Sequence, residues 1–253
     1  MQVAVLGARG SVGRVCVQEL AKRRFDAIQL HRNDQIPQEV NALIVASPVE
    51  HIDFDGSIID CSGSIPQTSL SLPPLLETRS NKKRIPNCMA SLIAQALFPL
   101  HKQYEITSII TTTMQSVSGA GWRGIQALEQ HDTTALFGGN LVNNVLPHEK
   151  FDQEEQAIKS DLHELFNCEV TATSFRVPVF IGHVASMRIT TKQPISPQLL
   201  PEAKHFDPRA MEHKREVAIG RVRINKNTAD LVVCGDQLLC GTAIPAVDSI
   251  FCT

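Results

Sequence analysis

Short apolar runs separated by polar or small-residue connections dominate the first ninety residues of the chain. Gln2–Leu6 (QVAVL), Ala27–Leu30, Asn41–Ser47 (NALIVAS) and Ser57–Asp60 (SIID) are nearly continuous in apolar residues, as strands buried on both faces of a parallel sheet are. Ser11–Arg24 has helical spacing, and with short connections these segments read as an alternating α/β unit. Ser64–Arg79, rich in Pro, Ser and Leu, is expected to be irregular. Met89–Gln103 (MASLIAQALFPLHKQ) has the apolar spacing of a helix that Pro99 breaks late.

From Glu105 the pattern changes. Ile106–Thr113 (ITSIITTT) is β-branched and strand-like, and it leads through the small-residue loop Met114–Gly121 into another helix. A helix is expected from about Asp152 to Phe166. Ala157, Ile158, Leu162, Leu165 and Phe166 mark its buried face, and Glu154, Glu155 and Lys159 read as a solvated one. Val170–Val179, Val217–Ile224 and Asp230–Val233 are further strands. The tail, Gln237–Phe251, reads as a helix interrupted or kinked by Pro245. The expected organisation is α/β in two domains: residues 1–104, completed by about 236–253, and residues 105–235.

Composition narrows the class. With 253 residues, 43% hydrophobic and 20% charged, the chain is long enough for two modest cores. A net charge of -2 and a pI near 6.5 give no electrostatic footprint for nucleic acid or an anionic membrane. The start MQVAVLGARG lacks a charged segment ahead of an apolar core, and no run is long enough to span a bilayer, so a cytoplasmic protein is expected. Seven scattered cysteines include no CxxC pair, and the nine histidines no HExxH. Neither a disulfide framework nor a metal site is indicated.

Two stretches carry candidate chemistry. Gly7-Ala8-Arg9-Gly10-Ser11-Val12-Gly13 joins the first strand to the first helix. Glycines there let the backbone turn tightly and approach a pyrophosphate resting on the helix-start amides, which points to a dinucleotide site; the alternative is a tight turn without a ligand. Arg32, at the end of the second strand with no acid just before it, favours a 2′-phosphate and hence NADP over NAD. In the second stretch, Ile85-Pro86-Asn87-Cys88-Met89, a thiol stands at a helix start. The free amides and helix dipole there favour a thiolate, so Cys88 is expected to be a nucleophile. Arg176, in a β-branched run, and His183, seven residues on after a glycine, are poor core fillers.

In this order, GARGSVG, IPNC, QSVSGAG, NNVLP, RVPVFIGH, GRVRI and DQLLCGTA resemble the aspartate-semialdehyde dehydrogenase family from end to end of the chain. The intervals of 27 residues from Cys88 to Gln115 and 7 from Arg176 to His183 match. The resemblance implies a Rossmann-like N-terminal domain and a second, α+β domain for catalysis and dimerisation. It also implies a homodimer or a dimer of dimers acting on a small-molecule substrate, the NADPH-dependent reduction of β-aspartyl phosphate to the semialdehyde. By the same resemblance Cys88 forms a thioester and His183 is the general acid/base. Gln115 orients the intermediate, Asn87 supports the acyl pocket and Arg176 pairs with the substrate α-carboxylate. Gly7, Arg9, Gly10, Ser11, Val12, Gly13 and Arg32 hold the cofactor.

The chain departs from the family at Ile65-Pro66 and Ala157, where phosphate-binding Arg and Lys are expected, and at Pro245 and Asp248, near the nicotinamide. Lys82, Lys83, Arg84 and Arg79 are candidate phosphate-binding replacements. Two alternatives follow: a thioester-reducing relative without phosphate recognition, and a non-catalytic paralogue with a binding or regulatory role.

Overall fold

The computed structural model describes residues 1–203 and 206–252, which cluster into two compact units, Met1–Pro86 with the tail from Thr242, and Asn87–Gly241. The first is a parallel sheet. Its strands are β1 (Val3–Leu6), β2 (Ile28–Leu30), β3 (Ala42–Val45), β4 (Ser57–Asp60), β5 (Ser69–Leu70) and β6 (Lys82–Arg84), in the order β2-β1-β3-β4-β6-β5. Helix α1 (Ser11–Lys22) crosses from β1 to β2.

One face buries Val3, Val5, Ile44 and Ile59 against Cys16 and Leu20 of α1 and against Ala246, Val247 and Ile250 of the C-terminal helix, Ile244–Phe251. The other face buries Ala4, Leu6, Leu43, Val45 and Ile58 under Ile36, Val49, Ile52, Phe54 and Ile65. Those residues come from irregular connections, so this face is closed by loops where a doubly wound sheet uses helices. The tail is helical from Leu239: a π-helical turn over Leu239–Ala243 runs directly into the α-helix Ile244–Phe251, and Pro245 lies just past the junction. The proline therefore stands where the helix changes from π to α, an irregularity that accommodates a residue without an N–H.

In the second unit, α2 (Cys88–Tyr104) is followed by β7 (Ile106–Gln115), α3 (Trp122–Glu129), α4 (Thr134–Phe137), β8 (Leu146–Pro147), α5 (Phe151–Phe166), β9 (Glu169–Arg176), β10 (His183–Thr191), β11 (Ala218–Asn225) and β12 (Thr228–Gly235). The sheet order is β11-β12-β10-β7-β9-β8, antiparallel except for the β7–β9 pair. Helix α2 packs on β10, β12 and α5, so it belongs to this unit and not with the first 104 residues. Pro99 does not break it: Leu92, Ile93, Leu97 and Leu100 are buried along its length, and that packing outweighs one lost backbone bond. The mixed α/β architecture expected from the sequence is what the chain adopts, with a parallel sheet and a second, mixed sheet.

Candidate functional site

Strand register assembles the second unit's site. Gln115 is paired with Arg176 across β7 and β9, and Met114 with Val184 across β7 and β10, which leaves His183 beside Gln115 on the other flank. The connections beyond continue the pairing: Val177 N–H donates to Gln115 O (3.0 Å), Val117 N–H to Val179 O (2.9 Å) and Ser118 N–H to Phe180 O (3.2 Å). Three side chains remote in sequence thus meet at one end of one sheet.

His183 is fully buried. Its Nδ1 accepts from the Ser116 amide at 3.2 Å and lies 3.0 Å from Ser116 Oγ. An acceptor at Nδ1 places the proton of the neutral ring on Nε2. That Nε2 is buried without a hydrogen-bond partner among the described residues. Burial, and then the charges of Arg176 and His148, hold its pKa well below the ordinary histidine value, so the ring is neutral near pH 7.

Gly119 closes over this pair. A Cβ there would stand 2.9 Å from Arg176 Nη1 and 3.5 Å from His183 Nε2. Gln237 fixes the surrounding backbone, donating to Ser118 Oγ (2.5 Å) and accepting from Gly182 N–H (3.0 Å).

Arg176, 1% exposed, donates from Nε and Nη2 to Glu149 at 3.1 and 2.7 Å. Nη2 also donates to His148 Nε2 at 2.6 Å, and Nη1 to the Ser116 carbonyl at 2.6 Å. A residue expected to meet a substrate carboxylate already has a carboxylate of the chain.

Cys88 opens α2, and Asn87 is the N-cap: its Oδ1 accepts from the amides of Met89 (2.9 Å) and Ala90 (3.3 Å). Two acids of α5 hold this helix start. Asn87 N–H donates to Asp161 Oδ2 at 2.6 Å, and Asn87 Nδ2 to Glu154 Oε1 at 2.8 Å. Gln115 Nε2 donates to the same Glu154 oxygen at 2.8 Å. The resting protein does not favour the thiolate expected at this helix start. Burial, and then the Glu154 charge, raise the Cys88 pKa to about 12, against the opposing pull of Arg176 and the Met89 and Cys88 amides. The helix N-terminus is present, but acids have already answered its positive end.

Glu154 and Glu155 are likewise not a plain solvated face. Glu154 joins Asn87 to Gln115, and Glu155 accepts from the Ser174 amide at 2.9 Å. A sequence signal existed: Glu154 and Asp161 fall at i and i+7 on the stripe that carries Ile158 and Leu162, and an acid on an apolar stripe has a partner or a task. Ser116, Gly119, His148 and Glu149 carried no comparable signal, because strand register and loop path bring them in.

In the first unit the glycine turn has the form a dinucleotide needs. Gly7 has φ +83°, and a Cβ on it would lie 2.8 Å from Ser47; one on Gly13 would lie 2.2 Å from Gly7 O. Gly10 is the N-cap of α1, so the amides of Ser11, Val12 and Gly13 occupy the first turn, where no intrahelical acceptor exists. The Val12 side chain packs into the core, leaving its amide as the useful group. Arg9 and Arg32 are exposed, and Arg32 donates to Pro48 O at 3.1 Å. Ser47 Oγ, against Gly7, is buried without a hydrogen-bond partner among the described residues. A close-approach cradle with an orphaned hydroxyl fits a nucleotide pyrophosphate.

Asp248 and Ile65, two positions at which the sequence is expected to depart from the family it resembles, have partners within the chain. Asp248 forms an ion pair with Arg23, tying the C-terminal helix to α1. Ile65 donates its amide to Asp60 Oδ2 at 2.9 Å and packs into the core. Lys83, a candidate phosphate ligand by sequence, is buried; its Nζ donates to the carbonyls of Ser249 (2.8 Å) and Cys252 (2.5 Å), so two of its three donors are engaged.

Residues 97–205 match the family model of the semialdehyde dehydrogenase dimerisation domain. The chain is 27% identical to an aspartate-semialdehyde dehydrogenase of Synechocystis sp., over 98% of this chain and 95% of the relative, and 26% identical to one of Rickettsia conorii, over 97% and 95%. Among solved structures it resembles aspartate semialdehyde dehydrogenase II of Vibrio cholerae complexed with ASA, with a TM-score of 0.85 at 22% identity over 99% of this chain and 98% of that one. A second is the Candida albicans aspartate semialdehyde dehydrogenase with NADP, with a TM-score of 0.68 at 15% identity over 99% and 98%.

Proposed function

We propose that this chain is a member of the aspartate-semialdehyde dehydrogenase family and interconverts β-aspartyl phosphate and aspartate semialdehyde through a thioester on Cys88, with NADP as cofactor. The observation that carries this reading is the convergence of Gln115, Arg176 and His183 at one sheet end, with His183 Nε2 buried and unpartnered among the described residues. A buried donor without a partner is costly in a resting protein and useful when a reacting oxygen arrives.

In the reductive direction the Cys88 sulfur bonds to the acyl carbon as the bond to phosphate breaks, giving the thioester and inorganic phosphate. When bound, the nicotinamide supplies the hydride that reduces the thioester carbon. His183 Nε2–H hydrogen-bonds the oxygen of the resulting tetrahedral adduct, and collapse of that adduct returns the aldehyde and the Cys88 thiolate. Gln115 and Asn87 hold Glu154 in place through its Oε1. A substrate α-ammonium group facing that carboxylate cancels the charge that keeps the resting thiol protonated, so the substrate itself favours the thiolate. Arg176 receives the α-carboxylate.

Gly7–Gly13, with the amides of Ser11 and Val12 and the side chain of Arg9, would hold the pyrophosphate, and Arg32 would hold the 2′-phosphate. A second copy would cover the outer face of the second unit's sheet, where Ile110 stands exposed beside Thr112, Ser186 and Arg188; a homodimer in the cytoplasm is the assembly this reading expects. The test is to mix purified protein with aspartate semialdehyde, phosphate and NADP, with NAD in parallel, and follow reduced cofactor. Phosphate-dependent turnover that is lost in C88A supports the reading; its absence contradicts it.

A further inference from the structure

Arg176 has five N–H hydrogens on a rigid fork, and the protein uses four. The Nε/Nη2 edge faces Glu149, with 3.1 Å to Oε2 and 2.7 Å to Oε1. The second Nη2 hydrogen goes to His148 Nε2, and one Nη1 hydrogen to Ser116 O. Phe137 lies 5.4 Å from the guanidinium carbon. The edge on which an external carboxylate would form two parallel bonds is therefore filled from within. What remains is one Nη1 hydrogen, and a Cβ on Gly119 would lie 2.9 Å from that nitrogen and 3.5 Å from His183 Nε2.

Glu149 cannot simply be dispensed with. Arg176 is 1% exposed, and a guanidinium so buried needs a counter-charge in the resting protein. Burial pushes the Glu149 carboxyl up, but the Arg176 bond and the charges of Arg176 and His148 together outweigh it and hold the pKa below the usual carboxylate value. The acid is ionised at neutral pH, the form that competes with a substrate carboxylate.

We propose that Glu149 is a specificity-determining residue: standing in the fork of Arg176, it limits the substrate's α-carboxylate to the single Nη1 hydrogen and so opens the site to acyl substrates without that carboxylate. The proposal rests on reading Arg176 as the carboxylate-binding residue of the reaction above. Glu149 acts through Arg176 and not on the reacting atoms. Its replacement should therefore show in the ratio of kcat/KM between substrates with and without the carboxylate, chiefly through KM.

The test compares kcat and KM of the full chain and of E149Q for L-aspartate semialdehyde and for 3-aminopropanal, the same aldehyde without the carboxylate. The wild type is expected to separate the two by less than about tenfold in kcat/KM, and E149Q to widen the ratio by about tenfold or more through a lower KM for the carboxylated aldehyde. An unchanged ratio in E149Q overturns the proposal. A second arm does not need turnover: thermal melts of E149A and wild type in sodium acetate against sodium chloride at equal ionic strength. Stabilisation of E149A by acetate, absent in the wild type, supports the filled fork, and no acetate effect on E149A overturns it. If acetate stabilises E149A while neither aldehyde is turned over, the proposed reaction fails and the occupancy of Arg176 by Glu149 stands.

Discussion

Ser116 grips His183 twice, by its amide at 3.2 Å and its hydroxyl at 3.0 Å, both on Nδ1. The grip leaves the ring neutral with its proton on Nε2, so Ser116 selects the tautomer that can donate to a reacting oxygen. In S116A the amide still donates and the hydroxyl is gone. The loss of one hydrogen bond of about 1 kcal/mol should lower kcat by about five- to tenfold with KM little changed. Equal effects on kcat and KM would show that Ser116 shapes binding instead.

The same burial gives a pH dependence to stability. The pKa values of His183, His148 and His101 all lie below the ordinary histidine value, chiefly through burial. The unfolded chain takes up protons as pH falls below about 6.5, where the folded protein does not. Stability is therefore full above that pH and declines as pH falls from it toward the folded-state pKa values. H183N removes one contributor, so its urea midpoint should change less between pH 7.5 and pH 5.5 than that of the wild type. Identical changes in the two proteins would contradict the assignment.

Cys88 should alkylate slowly in the resting protein. With its pKa raised to about 12 by burial and by Glu154, the thiolate is scarce at pH 7.5. Removing the neighbouring charge in E154Q should speed iodoacetamide labelling of Cys88 by about tenfold, the effect of one pKa unit on a thiolate population. Mass spectrometry of the labelled peptide reads the rate, and a slower rate in E154Q would show that the carboxylate does not hold the thiol protonated.

Cofactor binding should depend on the glycine turn and on Arg32 in different ways. G13A, whose added Cβ meets Gly7 O at 2.2 Å, should abolish thermal stabilisation by both NADP and NAD. R32A should reduce stabilisation by NADP and leave that by NAD intact. An R32A protein that still prefers NADP would place 2′-phosphate recognition elsewhere.

Much of this arrangement was legible in the sequence, and what was missed has a common cause. β-branched and apolar runs marked β1, β3, β4 and β7, and the spacing of Leu92, Leu97 and Leu100 marked α2 despite Pro99, because period and propensity are local properties. The Cys88 environment is not legible along the chain, because the helix N-terminus is local while its two acids arrive from α5, more than sixty residues away. The same holds for Glu149: nothing in its neighbourhood along the chain indicates that Arg176 lies 2.7 Å away. The extent of α1 was predicted, but the loop-covered second face of the first sheet was not, since Ile36, Val49 and Phe54 lie on irregular segments with no period to read.

The central claim is that Cys88 carries the acyl group. Without phosphate the thioester has no acceptor except water, so the enzyme should stop after one half-reaction. Rapid mixing of the protein with aspartate semialdehyde and NADP in phosphate-free buffer, followed by acid quench and peptide mass spectrometry, measures this directly. The account predicts a burst of about one reduced cofactor per chain, with an aspartyl adduct on the Cys88 peptide that phosphate discharges. A burst without an adduct on Cys88, or one that persists in C88A, would contradict it.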